Sequence, residues 1–356
     1  MNVFSGMWTI ASIDLRQRLR GLAWYVLLGV FFVIVLAVTI VATIALSYES
    51  DPGDALYSTI VYFVLLLASL TAPALSGNAI NGDREAGTLA TTQVTLVSST
   101  QLVIGKWLAA WLSSLAYLVA AVPFLVWCFI LSGVHPATAA VSLLILIVLL
   151  GVVSAVGVGL SGLMRRPLFS IVATYLVVAL LSVGTLIAFG LGSLAFRSTV
   201  TVTSHAVDWS QITGEVTYDP KTGAPIGVEC TLTDTYVYDT PRADYVWWIL
   251  AANPYVVIAD AQPTQFDVTG NPTDLFGWTK TAVRQVQIPP ELEQSWSECE
   301  PSSWQSPTPE EIIATTTPSW FVGLAIHVAL GALLLIGAVS ATRTPAVRLP
   351  AGSRIA

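Results

Sequence analysis

Six long, almost unbroken apolar stretches limit what this chain can become. They are "GLAWYVLLGVFFVIVLAVTIVATIALS" (21–47), then 56–77, 107–131, 138–163, 167–195 and 319–341. Roughly 20 mainly apolar residues, wound as a helix, cross the ~30 Å hydrocarbon layer of a bilayer. Backbone groups in lipid must bond within their own segment, so each stretch reads as a helix. One such stretch would sit equally well inside a soluble domain; six of this length would not. Charge agrees, because 10% of the 356 residues are charged and 54% are hydrophobic, against about 25% charged in a soluble domain. The expected fold is an all-α polytopic membrane protein with six transmembrane helices.

Lys and Arg orient the spans. Arg16, Arg18 and Arg20 precede the first, Arg84 and Lys106 flank the connector between the second and third, and Arg165 and Arg166 separate the fourth and fifth. Arg343, Arg348 and Arg354 follow the sixth, whereas "YESDPGDA" and "SGVHPAT" hold no Lys or Arg. The positive-inside rule then puts both termini in the cytoplasm. Trp24, Tyr48, Tyr57, Trp107, Trp127 and Trp320 stand near expected interfaces. The first apolar stretch is too long for a cleavable signal and lacks a small-residue cleavage site. The division expected is a membrane domain over 1–196, an extracytoplasmic domain over 197–317, and a last helix with its tail over 318–356.

Residues 197–317 carry 5 basic and 16 acidic side chains, net −11, while the remainder is net +4. The segment is too long to connect two helices without structure of its own. "STVTVT", "GEVTYD" and "IGVECTLTDTYVYD" alternate as strands do, with "PKTGAP" supplying turn residues; "QIPPELEQSWSECEPSSWQSPTPEE" reads as irregular. The domain between helices five and six is therefore expected to contain β structure. Cys230 and Cys299 fall in it. On an oxidising side they read as one disulfide, with two free thiols as the alternative. Cys128 reads as a small buried hydrophobe.

No catalytic set emerges. "GKW" at 105–107 lacks the upstream Gly and the hydroxyl residue of a phosphate-binding loop, and neither HExxH nor GxSxG occurs. His135, His205 and His327 are scattered, so no shared metal site is expected. His327, inside the sixth span, is a candidate pathway residue, with a hydrogen-bonded histidine between helices as the alternative. Small residues recur at every fourth position, at Gly151, Ala155 and Gly159 and again at Gly184, Ala188 and Gly192. They fit close packing within one subunit, a dimer seam or a moving contact. Pro73 and Pro123 would each free a carbonyl in their helices.

One polar island remains, "NGDREAGTLATT" at 81–92. It belongs to "INGDREAGTLATTQVTLVSSTQLVIGKWLAAW" (80–111), which resembles the membrane subunits of ABC exporters in the type-two permease family. There an acidic residue, a short gap and "GTL" precede a stretch ending in Lys at the mouth of helix three. Here those positions are Glu85, Gly87, Thr88, Leu89 and Lys106. "ANPYVVIADA" (252–261) is similar to a segment that such permeases carry before their last helix. Members often have Pro after GTL, where this chain has "VTLVSS", and a shorter exterior segment.

The resemblance implies that 78–106 forms a cytoplasmic coupling segment seated on a separate ABC ATP-binding subunit. Asp83, Arg84, Glu85, Gly87, Thr88, Leu89 and Lys106 would make the contact; an ordinary solvated loop is the alternative. It implies ATP and Mg in that partner and no cofactor here, a second permease subunit as homo- or heterodimer, and surrounding membrane lipids. No nucleic-acid partner is expected. Export of a lipidic, peptide or amphipathic substrate across a bacterial plasma membrane follows as the expected function. A membrane-anchored receptor, or a force transducer acting on an envelope protein, is the alternative.

Overall fold

A computed structural model describes residues 3–46, 52–87, 98–132, 134–212, 215–220, 224–299 and 307–343. It holds six helices long and apolar enough to cross a membrane. In chain order these are α2 (Leu22–Ala45), α3 (Pro52–Ser76), α5 (Ser99–Ser132), α6 (Pro136–Leu163), α7 (Pro167–Ala195) and α12 (Trp320–Thr342). Two shorter helices join them: α1 (Val3–Leu19), unforeseen in the sequence, and α4 (Asn81–Glu85), within the segment that the resemblance assigns to coupling. Further on come β1 (Arg197–Ala206), β2 (Leu232–Pro241), α8 (Trp247–Ala251), α9 (Pro254–Ala261) and α10 (Leu275–Gln285). Next are β3 (Glu293–Ser297) and α11 (Pro309–Thr315).

The chain forms two compact units, with boundaries inside α7, α8 and α10. The first comprises 1–185, 251–280 and 318–356. At its centre is α6, buried at seventeen positions from Thr138 to Gly162. Its small residues make that possible. A side chain on Gly159 would lie 2.6 Å from Leu334 and one on Gly162 2.5 Å from Ala338, both on α12, while Gly331 faces Ala155. The series at Gly151, Ala155 and Gly159 thus serves packing within the chain, with Gly151 against the indole of Trp111. Ala188, in the second series, is exposed. By contrast α2 and α7 bury only 17% and 11% of their most apolar windows, against 67% for α6, leaving broad apolar faces uncovered among the described residues.

Ala251–Lys280 belongs with the long helices rather than with the rest of 197–317. Pro254 opens α9, and the Asn253 side chain accepts from the Tyr255 N–H at 2.9 Å, the favoured arrangement at a helix start. The same amide donates to the Ser182 carbonyl at 2.6 Å. That carbonyl lies in a π turn, Leu180–Gly184, where the wider winding leaves backbone acceptors without helical donors. Buried Asp260, at the end of α9, accepts from the Ser319 and Trp320 N–H groups, so a carboxylate sits at the positive end of α12.

The second unit, 186–250 and 281–317, holds a three-stranded sheet in the order β2-β1-β3. β1 is antiparallel to β2 and parallel to β3, and its Val200 and Val202 are buried. "STVTVT" forms β1 as expected, but "GEVTYD" contributes only the single bridge Tyr218↔Pro225. The stretch read as irregular contains β3, which gains its order by pairing with β1. It also contains the start of α11, opened by a reciprocal Thr308–Glu311 capping box. Cys230 and Cys299 are joined as a disulfide across a separation of 69 residues. Cys128 is a buried free thiol.

Candidate functional site

The polar island is built on borrowed caps. Residues 77–80 turn out of α3, and the Ser161 hydroxyl of α6 accepts the N–H groups of Ile80 and Asn81 at 3.0 and 3.1 Å. Those are N–H groups that a helix start cannot satisfy internally. Buried Asn81 donates to Ser170 Oγ of α7 at 3.1 Å, and that hydroxyl donates to the Gly77 carbonyl at 2.6 Å. α4 lasts little more than one turn. It ends at Gly87, whose φ of +69° is the left-handed closure that glycine adopts without a steric penalty.

Most of the island's charge is spent inside the chain. Arg84 donates to the carbonyls of Gly162 at 2.9 Å and Met164 at 2.8 Å, where the last acceptors of α6 lack helical donors. Asp83 pairs with Lys106 at 2.7 Å, and Lys106 also reaches Asp14 of α1 at 3.2 Å. Asp14 in turn faces Arg18 at 3.8 Å, and Arg18 donates to Ser113 Oγ. Burial lowers the pKa of the Arg18 guanidinium, while neighbouring Asp14 opposes that shift. The Lys106 side chain is 4% exposed, so removing its charge would take a close cation from Asp83 and leave Asp14 to the more distant Arg18.

This cluster ties α1, α4 and α5 into one body. Gly105 allows the close approach: a Cβ there would sit 2.8 Å from the Met7 carbonyl oxygen and from Ile10. The opposite side of α1 exposes Phe4, Trp8 and Leu19 beside Arg16 and Arg20, the composition of a helix lying at a bilayer surface.

Of the seven residues assigned to coupling, Asp83, Arg84 and Lys106 are therefore internal fasteners, while Glu85 and Gly87 are exposed. Thr88 and Leu89 lie outside the described residues. Asp14, Asn81, Ser161 and Ser170 were not singled out in the sequence. The sole signal was Asp14 itself, the one acid in the basic and apolar run "ASIDLRQRLR".

Two other features complete the candidate set. His327 is buried on α12, with Nδ1 2.8 Å from the Gly323 carbonyl oxygen. A carbonyl can only accept, so Nδ1 donates that bond, and Nε2 is buried with no hydrogen-bond partner among the described residues. Between α2 and α5 lies an apolar groove of about 420 Å³, lined by Leu36, Thr39, Ile40, Pro123, Phe124 and Trp127 among others. Pro123 has no N–H to donate to the carbonyl one turn before it. Among the described residues, no group of three or more His, Cys, Asp or Glu is placed to hold a metal ion. No protein-family model matches this chain, and none of the curated proteins matches it in sequence.

Proposed function

We propose that this chain is the membrane subunit of an ATP-driven ABC exporter, paired with a separate ATP-binding subunit and a second permease. The observation that carries the proposal is the form of the 81–87 segment. It is a short helix with an exposed end, Glu85–Gly87, whose other charges anchor it to α1, α5 and α6. A push on such an end would be passed to those helices rather than absorbed by a loop. ATP and Mg²⁺ would be held by the partner, and hydrolysis would occur there. The Lys and Arg distribution supports a topology with this segment and both termini in the cytoplasm and the sheet unit outside, and the Ala/Val-rich spans fit a bacterial plasma membrane. The disulfide supports the second assignment, since such bonds persist on the oxidising side. The apolar groove and the exposed faces of α2 and α7 fit a lipidic or amphipathic cargo and a second permease; His327 remains a candidate pathway group.

The test is co-purification of a Walker-motif ATPase chain in mild detergent, followed by transport into vesicles. Glu85→Ala combined with Gly87→Pro should abolish ATPase stimulation while the membrane subunit stays folded. Unchanged partner binding and transport would refute the exporter. The acidic sheet unit favours a second reading, in which the same ATPase drives an envelope protein and no cargo crosses. Stimulated ATPase with no substrate lost from loaded vesicles would select it.

A further inference from the structure

β2 pairs with β1 along one edge for its full ten residues, from Arg197↔Pro241 to Ala206↔Leu232. Just beyond the ladder the Arg242 N–H donates to the Phe196 carbonyl at 2.8 Å. That bond fixes the phase of an antiparallel pair, in which alternate residues bond to the partner strand. Even-numbered β2 residues therefore face β1. The N–H and C=O groups of Thr233, Thr235, Val237 and Asp239 point to the opposite edge. Among the described residues no strand lies on that edge, because β3 pairs with the far side of β1. Only the Thr235 N–H is turned aside, to the Asp234 carboxylate at 2.9 Å.

Edge strands are usually blunted by a central Pro or Lys, a bulge or short length. β2 has none of these: it is ten residues long, unbulged, free of Lys and Arg, with Pro only at its last position. Its side chains are exposed almost throughout, with Tyr236 at 53%, Val237 at 63% and Tyr238 at 43%. The charges on the strand itself have one sign. Asp234 and Asp239 lie on the strand and Glu229 precedes it, in a segment of net −11.

The geometry points to β2 as a docking edge for an extended cationic peptide, added as a fourth strand of the sheet. Main-chain bonds to the four outward residues would supply affinity, and alternate side chains would supply selectivity. Lys or Arg on the incoming strand would lie against Asp234 and Asp239. On the face that carries Asp234, the rings of Tyr236 and Tyr238 offer the aromatic surface that cations favour. A second copy of β2 fits less well, since antiparallel pairing of two such edges gathers four carboxylates. This inference requires no ATPase and stands apart from the exporter proposal.

The test uses the full chain in phosphatidylcholine nanodiscs, with empty discs as reference, and a labelled ten-residue peptide of alternating Lys and Val. Fluorescence anisotropy should give at least tenfold tighter binding than for the Glu–Val counterpart, and weakening as salt rises from about 50 to 300 mM. N-methylation along one backbone edge of the peptide should cost at least tenfold, an arm that leaves the protein unchanged. Val237→Pro, which removes an outward N–H and no bond to β1, should weaken binding at least fivefold. Asp234→Lys with Asp239→Lys should reverse the preference between the two peptides. Equal binding of the N-methylated peptide on both edges, or no effect of the double lysine variant, would overturn the inference. A dimer of the free protein that Val237→Pro dissociates would instead assign the edge to a second copy.

Discussion

Charge is used in opposite ways in the two units. Among the long helices it is scarce and committed: Lys106 holds two carboxylates, Arg84 closes the end of α6, and Asp260 opens α12. In the sheet unit acids are plentiful and face outward, as on β2 with Asp234 and Asp239. The contrast follows from solvation. A buried ion must be paired to be tolerated, whereas exposed like charges cost little singly and sum to a field. Charge in the first unit therefore specifies structure, and charge in the second specifies what approaches it.

The strongest attempt to break this contrast is Lys106→Met. It should destabilise the protein by about 4 kcal/mol, because Asp14 and Asp83 stay behind in a protected site. Thermal unfolding in detergent measures this, and adding Asp14→Asn with Asp83→Asn should recover much of the loss. An unaffected melting temperature would mean that the cluster is ornamental. Next comes the disulfide. Cys230→Ser with Cys299→Ser should cost about 3 kcal/mol by freeing a loop of 69 residues, read as faster proteolysis confined to 186–250 and 281–317.

A subtler test concerns a buried acid that is not fully compensated. Burial, with Asp54 adding to it and Lys280 opposing, pushes the Asp274 carboxyl up to about 6. The folded protein then holds a proton that the unfolded chain gives up near pH 4. Stability from this group is greatest below about pH 4 and declines as pH rises through 6, by roughly 3 kcal/mol. Asp274→Asn keeps a side-chain acceptor for the Gly277 N–H and should flatten that slope in unfolding measured across pH 4 to 7. Smallest of all, Glu291→Gln or Glu293→Gln on the exposed sheet surface should shift stability by less than about 0.5 kcal/mol. A larger loss would show that the acids of the second unit are also structural.

The six spans were legible because apolarity of that length has one outlet, and the Cys230–Cys299 bond because two thiols shared one segment. α1 was not, since its buried side uses Gly6, Ile10, Ala11 and Asp14, a mixture that looks featureless until α5 is beside it. Nor was the membership of 251–280 readable. The bond from Asn253 to Ser182 spans 71 residues, and although "ANPYVVIADA" stood out in the sequence, nothing local marks Ser182 as its partner. In the polar island, sequence located the right residues but not their partners. Lys106 stood out as the close of the segment, yet Asp14, 92 positions earlier, decides what it does.

The π turn in α7 has an arithmetic consequence. Such a turn is an α-helix carrying one residue too many, so deleting a single residue from Leu180–Gly184 should restore regular winding at little local cost. It would also hand the Ser182 carbonyl back to its own helix, leaving the Asn253 amide without that acceptor. The surplus residue and the asparagine are thus a matched set. An insertion or deletion tolerated in the rest of α7 would, at this one turn, also require a change at position 253.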